Sequence, residues 1–167
     1  MRAHFMLTIV SGGQTGVDRA ALDAALASGL PYEGWCPKGG WAEDMPKPPG
    51  LLAHYPALRE TPSANPEQRT DWNVRDSGGL VVLTDRDGIG CSKGSERAVA
   101  HAKSLGKPVI IIDIDDPASC PFTQHFLISL KAASICVAGP RESESPGLYT
   151  KAKAFLEAVV AECSSAY

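Results

Sequence analysis

The stretch FMLTIVSGGQTG, residues 5–16, decides the fold because an apolar run leads directly into a glycine turn. The continuous apolar residues of its first half predict a short strand that is buried on both faces of a parallel sheet. Gly12 and Gly13 allow positive φ and a close approach of the backbone to a ligand. A helix is predicted to begin near Thr15 or Gly16, so its free amides and positive dipole end face the same turn. The stretch therefore predicts a phosphate-binding turn between a first strand and a first helix.

Further apolar runs alternate with helical patterns along the rest of the chain. Strands are predicted at 32–35, 79–83, 108–113 and 134–138, with the last three buried. Helices are predicted at 67–76, 93–105 and 121–133, and an amphipathic helix closes the chain. This alternation predicts the α/β class, with a single doubly wound, mainly parallel sheet and helices on both faces, as in Rossmann-like domains.

The composition changes between residues 36 and 66, where seven prolines and three glycines crowd together. Prolines at this density prevent long helices and central strands. Trp41, Tyr55 and Leu58 offer apolar surface for packing, so we expect an ordered excursion. Residues 1–167 are therefore predicted to form one Rossmann-like domain with a proline-rich excursion at about 36–66.

The bulk composition argues against several classes of protein. A formal net charge of −3 does not suit a general nucleic-acid binder, which neutralises phosphates with a basic face. The five cysteines form no Cys-x-x-Cys pair and the histidines lack metal-ligand spacing, so no protein-bound metal site is predicted. Neither a signal peptide nor an apolar span of roughly 20 residues is evident, so we expect a cytoplasmic protein without a membrane partner.

Polar or glycine-rich turns follow three of the predicted strands, at 11–18, 84–96 and 139–147. Ligands bind outside the carboxyl ends of the strands in such sheets, so these turns are predicted to converge on one ligand. No residue is assigned a catalytic role. The candidate binding residues are glycines and polar side chains of the three turns: Gly12, Gly13, Gln14, Thr15, Gly16, Asp18, Arg19, Gly94, Ser95, Glu96, Gly139, Arg141 and Ser143.

The first two turns also have structural interpretations. Two glycines between a strand and a helix can serve packing alone, without a ligand. Arg19 can pair with a ligand phosphate, or with Asp18 or Asp23. Ser95 can present its hydroxyl to a ligand, or it can be an ordinary helix N-cap.

The third turn and the excursion leave similar alternatives open. The guanidinium of Arg141 suits a phosphate or a carboxylate, but it can also form a surface salt bridge with Glu142 or Glu144. Glu43 and Asp44 of the excursion can reach over the site, although a solvated loop is the default interpretation.

Four ordered blocks of the sequence resemble a known family. SGGQTGVDRAAL at 11–22 closely resembles the opening motif of the family labelled molybdenum carriers. The family's second block resembles GWCPKG at 34–39 with AED at 42–44. Its third block resembles RET at 59–61, RT at 69–70 and NV at 73–74. Its last block resembles AGPRES at 138–143 with PG at 146–147. The resemblance covers nearly the whole chain. It extends to a Rossmann-like superfamily of molybdenum cofactor carriers, lysine-decarboxylase-like nucleotide hydrolases and nucleotide-sensing domains.

The resemblance implies that the first glycine turn binds a phosphate-bearing small molecule, which the protein would carry or sense. For the carriers, that ligand would be the molybdenum cofactor (molybdopterin), which has a phosphate tail. For the sensing domains, it would be a nucleotide or an ADP-ribose derivative.

The alternative function is a nucleotide hydrolase that cleaves an N-glycosidic or phosphate bond of a nucleoside monophosphate or a related compound, with Asp18 or Glu96 as acid–base residue. The related hydrolases resemble one another in a Pro-Gly-Gly-x-Gly-Thr-x-x-Glu motif with a catalytic glutamate. The aligned residue here is Ala98. Glu96, two positions earlier on a helix, points elsewhere by roughly 200°, so binding is favoured over cleavage.

A third hypothesis is a subunit whose task is protein–protein contact, with exposed Trp41 and Trp72 as interface anchors. The alternative for these indoles is that they pack the excursion onto the domain. By analogy with related Rossmann-like proteins, we expect a homo-oligomer.

Overall fold

Six parallel strands form the central sheet of the computed structural model, which describes residues 6–165. They are β1 (Thr8–Val10), β2 (Tyr32–Cys36), β3 (Leu58–Glu60), β4 (Leu80–Thr84), β5 (Val109–Asp113) and β6 (Ser134–Ala138). Their order across the sheet is β3-β2-β1-β6-β4-β5, and each neighbouring pair is parallel. The predicted doubly wound parallel sheet is therefore confirmed.

Helices cover both faces of this sheet. They are α1 (Val17–Ala27), α2 (Leu51–His54), α3 (Pro66–Arg75), α4 (Lys93–Ser104), α5 (Ser119–Leu130) and α6 (Leu148–Ser165). Helices α1, α5 and α6 pack on one face, against strand residues such as Val81 and Leu83. Helices α3 and α4 pack on the other face, against Val10 and Leu80. None of the helices within residues 6–165 is long and apolar enough to cross a membrane.

The path of the chain creates a switch point in the middle of the sheet. From β1 the chain builds β2 and β3 on one side, and then returns through α3 to β4 on the other side. The last strand, β6, lies between β1 and β4. The carboxyl ends of β1, β6 and β4 are therefore neighbours, where ligands bind in sheets of this type.

The strand predicted at 108–113 is an edge strand rather than the buried strand that we expected. Within residues 6–165, strand β5 has a neighbouring strand on one side only, and Ile111 is 47% exposed. A run of apolar residues does not distinguish a central strand from an edge strand that packs on one face. The first strand begins at Thr8, and Phe5 of the predicted strand lies outside the described residues.

The proline-rich excursion is ordered, as predicted, and holds a small core of its own. Leu51, Tyr55 and Leu58 pack against Leu22 of α1. The excursion contains only the four-residue α2 and the three-residue edge strand β3, as its prolines require. Trp72 is half-buried and packs edge-on against an indole of β2, with ring centroids 4.8 Å apart. It therefore contributes to packing within the domain.

Candidate functional site

The turns after β1, β4 and β6 line one cavity, together with α3. Its volume is about 50 Å³. The predicted site residues that line it are Gly12, Gln14, Asp18, Gly94, Ser95, Gly139 and Arg141. An adjoining open groove of about 650 Å³ is lined by other predicted residues, namely Thr15, Gly16, Arg19 and Ser143. The sequence-predicted residues thus divide between a small cavity and a larger groove.

Gly13 and Glu96 line neither of these spaces. An added Cβ on Gly13 would contact Leu22 and Leu51, because this glycine faces the core of the excursion. Glu96 is exposed at the start of α4. Both residues belong to turns that form the site, but their own positions offer a ligand little.

In the first glycine turn, backbone amides that were predicted to bind a phosphate form hydrogen bonds within the chain. The Gly13 amide donates to the Ser11 hydroxyl at 3.3 Å, and the Thr15 amide donates to Gln14 Oε1 at 3.0 Å. The backbone amide of Gln14 donates to the Asp18 carboxylate. The backbone amide of Val17 donates to the carbonyl oxygen of Pro140 in the third turn. The backbone amides of Gly13, Thr15 and Val17 therefore already have partners within the chain.

A buried ion pair forms the floor of the cavity. Arg69 Nη1 on α3 lies 2.9 Å from Asp18 Oδ2 on α1, and both side chains are at most 10% exposed. Burial raises the pKa of the Asp18 carboxyl, while Arg69 and the Gln14 amide oppose that shift. A Cβ on Gly12 would lie 2.2 Å from Arg69 Nη1, so this glycine makes room for the guanidinium.

Two residues of the cavity wall each carry a buried N–H donor that has no hydrogen-bond partner among the described residues. Gln14 Oε1 accepts from the Thr15 and Glu43 amides, both at 3.0 Å, which fixes the side-chain amide and leaves Gln14 Nε2 unpaired. Arg69 Nε is also buried and unpaired. Gln14 is 5% exposed and Arg69 8% exposed. Buried donors without partners are costly, so they indicate an acceptor that is supplied from outside the chain.

Helix α4 directs its N-terminus at the same cavity. Its N-cap is Ser92, whose Oγ accepts from the Ser95 amide at 3.3 Å, so the interpretation of Ser95 as the N-cap is wrong. Ser95 is buried, and its hydroxyl lies 2.9 Å from that of Ser92. Gly94 has open space beside it. The positive end of the helix dipole therefore adds to a donor-rich wall.

The excursion closes against the site through Glu43, so the default interpretation as a solvated loop is wrong for Glu43, whereas Asp44 is exposed. Glu43 Oε1 accepts from the Thr15 hydroxyl, and Glu43 Oε2 accepts from the Ser143 hydroxyl at 2.7 Å. Asp44 forms a bidentate pair with Arg19, with both distances 2.9 Å. Arg19 therefore pairs with neither of the aspartates that the sequence suggested.

The hydrogen bonds of the Glu43 carboxyl group predict that this closure depends on pH. Burial opposes the shift, but hydrogen bonds from Thr15 and Ser143 hold the pKa of Glu43 below its ordinary value of 4.5. A carboxyl group whose pKa is lowered by folding stabilises the folded state at any pH above its ordinary pKa. This stabilisation is lost as the pH falls through the lowered pKa. We expect the melting temperatures of the wild type and Glu43→Gln to differ at pH 7 and to converge as pH falls below 4.5. A difference unchanged by acid would contradict this, with thermal unfolding from pH 7 to 3 as the measurement.

Several site residues carried no functional assignment in the sequence analysis. Arg69 and Asn73 lie four positions apart on α3 and are both buried, although both are polar. The Asn73 side chain is hydrogen-bonded to the end of β2. It accepts from the backbone amide of Trp35 at 2.7 Å and donates to the backbone carbonyl of Trp35 at 2.9 Å. A pair of buried polar residues on one helix face is a weak signal. The Arg69 partner is 51 residues away in sequence.

An alanine of the cavity occupies the position at which the related hydrolases have their catalytic glutamate. Ala98 lines the cavity and is 1% exposed. The carboxylates of the wall are already paired, Asp18 with Arg69 and Glu144 with Arg141. Within the described part of the chain, no group of three or more His, Cys, Asp or Glu residues could hold a metal ion.

Comparisons with known proteins agree with the fold. The sequence model of the circularly permutated YpsA SLOG family matches residues 9–160. A crystal structure of a protein from Syntrophus aciditrophicus SB, named "putative molybdenum carrier protein", is similar in fold, with a TM-score of 0.80. The two sequences are 34% identical, and the match covers 93% of this chain and 95% of the other. No curated protein matches the chain.

Proposed function

Because the chain belongs to the circularly permutated YpsA SLOG family, we propose that it binds a phosphate-bearing small molecule and carries or senses it. The observation that carries this proposal is the pair of buried, unpaired donors, Gln14 Nε2 and Arg69 Nε. The two residues line a cavity at the switch point of a parallel sheet, where ligands of such folds bind. A phosphate oxygen is an acceptor of the kind that these donors lack.

Two classes of ligand fit this chemistry. The name of the similar Syntrophus protein favours the molybdenum cofactor, which would enter the cavity by its phosphate. A nucleotide derivative offers the same group.

The composition of the cavity favours holding this ligand over cleaving it. General acid–base catalysis of hydrolysis needs a titratable side chain that is free to exchange a proton, and the related hydrolases use a glutamate for it. Ala98 offers a methyl group at the position that the hydrolase motif assigns to glutamate. Asp18 is bound to Arg69 and to a backbone amide. We therefore expect no turnover of nucleoside monophosphates.

Replacing the unpaired donor of Gln14 by an acceptor tests the proposal. Gln14→Glu keeps the oxygen that accepts from the Thr15 and Glu43 amides, but it places an oxygen where Nε2 stood. Loss of one charge-assisted hydrogen bond corresponds to roughly tenfold or more in affinity. We expect the wild type to bind inorganic phosphate or AMP, and Gln14→Glu to bind at least about tenfold more weakly in calorimetry.

Gln68→Glu is the matched control, because it changes the net charge by the same amount as Gln14→Glu. Gln68 Oε1 likewise accepts a hydrogen bond from a backbone amide, that of Ser63, at 3.0 Å. It should bind phosphate as the wild type does. Mass spectrometry of small molecules released from denatured wild-type protein identifies any ligand that copurifies. Absence of binding by every phosphorylated probe and of any copurified ligand would overturn the proposal.

A further inference from the structure

The Glu43 carboxylate lies in a set of donors that would suit the oxyanion of a ligand. It accepts from the hydroxyls of Thr15 and Ser143, and from the Ser143 amide at 3.3 Å. The guanidinium of Arg141 lies 3.7 Å from Glu43 Oε2. A carboxylate is thus held by two hydroxyls, one amide and one guanidinium, which are the groups that proteins use for phosphate.

These donors come from parts of the chain other than the excursion that supplies Glu43. Thr15 belongs to the turn after β1, while Arg141 and Ser143 belong to the turn after β6. The Glu142 amide also donates to the Thr15 hydroxyl, at 3.1 Å, so the two turns hold each other without Glu43. The donor set is therefore part of the domain, and the carboxylate is a separate group placed into it.

The turn that carries Glu43 is anchored, but the side chain of Glu43 borders open space. Ala42 and Met45 form an isolated bridge, and Ala42 is fully buried. Glu43 itself is 24% exposed in its side chain and borders the open groove of about 650 Å³. Rotation of one side chain into this groove would free the donors.

We infer that Thr15, Arg141 and Ser143 form a second oxyanion subsite, which Glu43 fills until an anionic group of the ligand replaces it. This inference rests on the proposed function, because Arg141 also lines the cavity of the unpaired donors. The ligand class that fits both positions carries two adjacent anionic groups, as a diphosphate does. Glu43 then competes with one of those groups and sets the affinity.

The test compares inorganic phosphate with pyrophosphate on Glu43→Gln and the wild type. A neutral glutamine competes less well for the donors and does not repel an incoming anion. We expect Glu43→Gln to bind pyrophosphate roughly tenfold more tightly than the wild type does, since one charge-assisted hydrogen bond is of that order. Phosphate needs only the cavity, so its affinity should change little.

Asp44→Asn is the matched control, because it removes one negative charge from the neighbouring residue of the same turn. Its affinity for pyrophosphate should remain within about twofold of that of the wild type, since screening limits the effect of an exposed charge. Adding Ser143→Ala to Glu43→Gln should reverse the gain. Circular dichroism shows whether each variant is folded.

The outcomes separate this inference from the proposed function. If the wild type binds phosphate through Gln14 but Glu43→Gln gains no affinity for pyrophosphate, the subsite is wrong and the proposed function stands. If phosphate does not bind but Glu43→Gln gains pyrophosphate binding that Ser143→Ala removes, the subsite stands alone. Equal gains in Asp44→Asn would attribute the effect to net charge and overturn the inference.

Discussion

Asp18→Ala is expected to lower the free energy of unfolding by about 3–5 kcal/mol. The carboxylate of Asp18 faces Arg69 at 2.9 Å, and both side chains are almost fully buried. Its removal leaves a guanidinium in the interior without a counter-ion, while the Gln14 amide loses its acceptor. For a chain of this length, such a loss corresponds to a fall in melting temperature of roughly 6–20 °C. Urea unfolding followed by circular dichroism measures it.

A second aspartate–arginine pair supplies the control for this prediction. Asp44 and Arg19 also approach to 2.9 Å, but the Asp44 side chain is 44% exposed. Exposed pairs contribute about 0–1 kcal/mol, so Asp44→Ala should cost far less than Asp18→Ala. Similar costs for the two variants would show that burial does not determine the contribution of the inner pair.

The double variant Asp18→Ala, Arg69→Met connects this stability to binding. With both charges removed, no unpaired charge remains, and most of the lost stability should return. The folded double variant would still lack Arg69 Nε, one of the unpaired donors. We therefore expect a stable protein with weakened phosphate binding. Stability that returns together with full phosphate affinity would exclude Arg69 as a donor to the ligand.

The sheet follows from patterns that are local in the sequence. The strand predicted at 134–138 matches β6, because its apolar residues are continuous and a glycine and a proline end it. The convergence of the three turns follows from the common direction of parallel strands. Burial of β5 did not follow, since Val109–Asp113 is as apolar as a central strand while its outer edge has no neighbour.

The site depends on contacts that no local pattern encodes. Arg69 meets a carboxylate 51 residues away, and Glu43 meets Ser143 across 100 residues. The glycine turn was predicted to donate its backbone amides to a phosphate, but the side chains of Ser11 and Gln14 accept hydrogen bonds from two of these amides. Which donors remain for a ligand therefore depends on side-chain placement, which a motif of glycines does not determine.

The last expected result concerns Gly16, where the first and third turns meet backbone to backbone. Gly16 has a φ of 77°, and an added Cβ would lie 2.3 Å from the Pro140 carbonyl oxygen. We expect Gly16→Ala to cost about 2–6 kcal/mol, from about 1–3 for backbone strain and about 1–3 for overpacking. Gly29→Ala is the control, because Gly29 has a φ of 67° and nothing within 4 Å of an added Cβ.

The comparison of these two alanine variants separates a positive φ in open space from one beside the third turn. Gly29→Ala costs about 1–2 kcal/mol for its positive φ. The additional loss in Gly16→Ala combines the strain of its ψ of −131° with the close approach of the third turn to α1. That approach also places Arg141 at the cavity and lets the Val17 amide reach Pro140, at 3.2 Å. We therefore expect Gly16→Ala to weaken phosphate binding while Gly29→Ala does not, with unfolding and calorimetry as the measurements. Equal costs and equal affinities for the two variants would mean that the turns are not held together at this glycine.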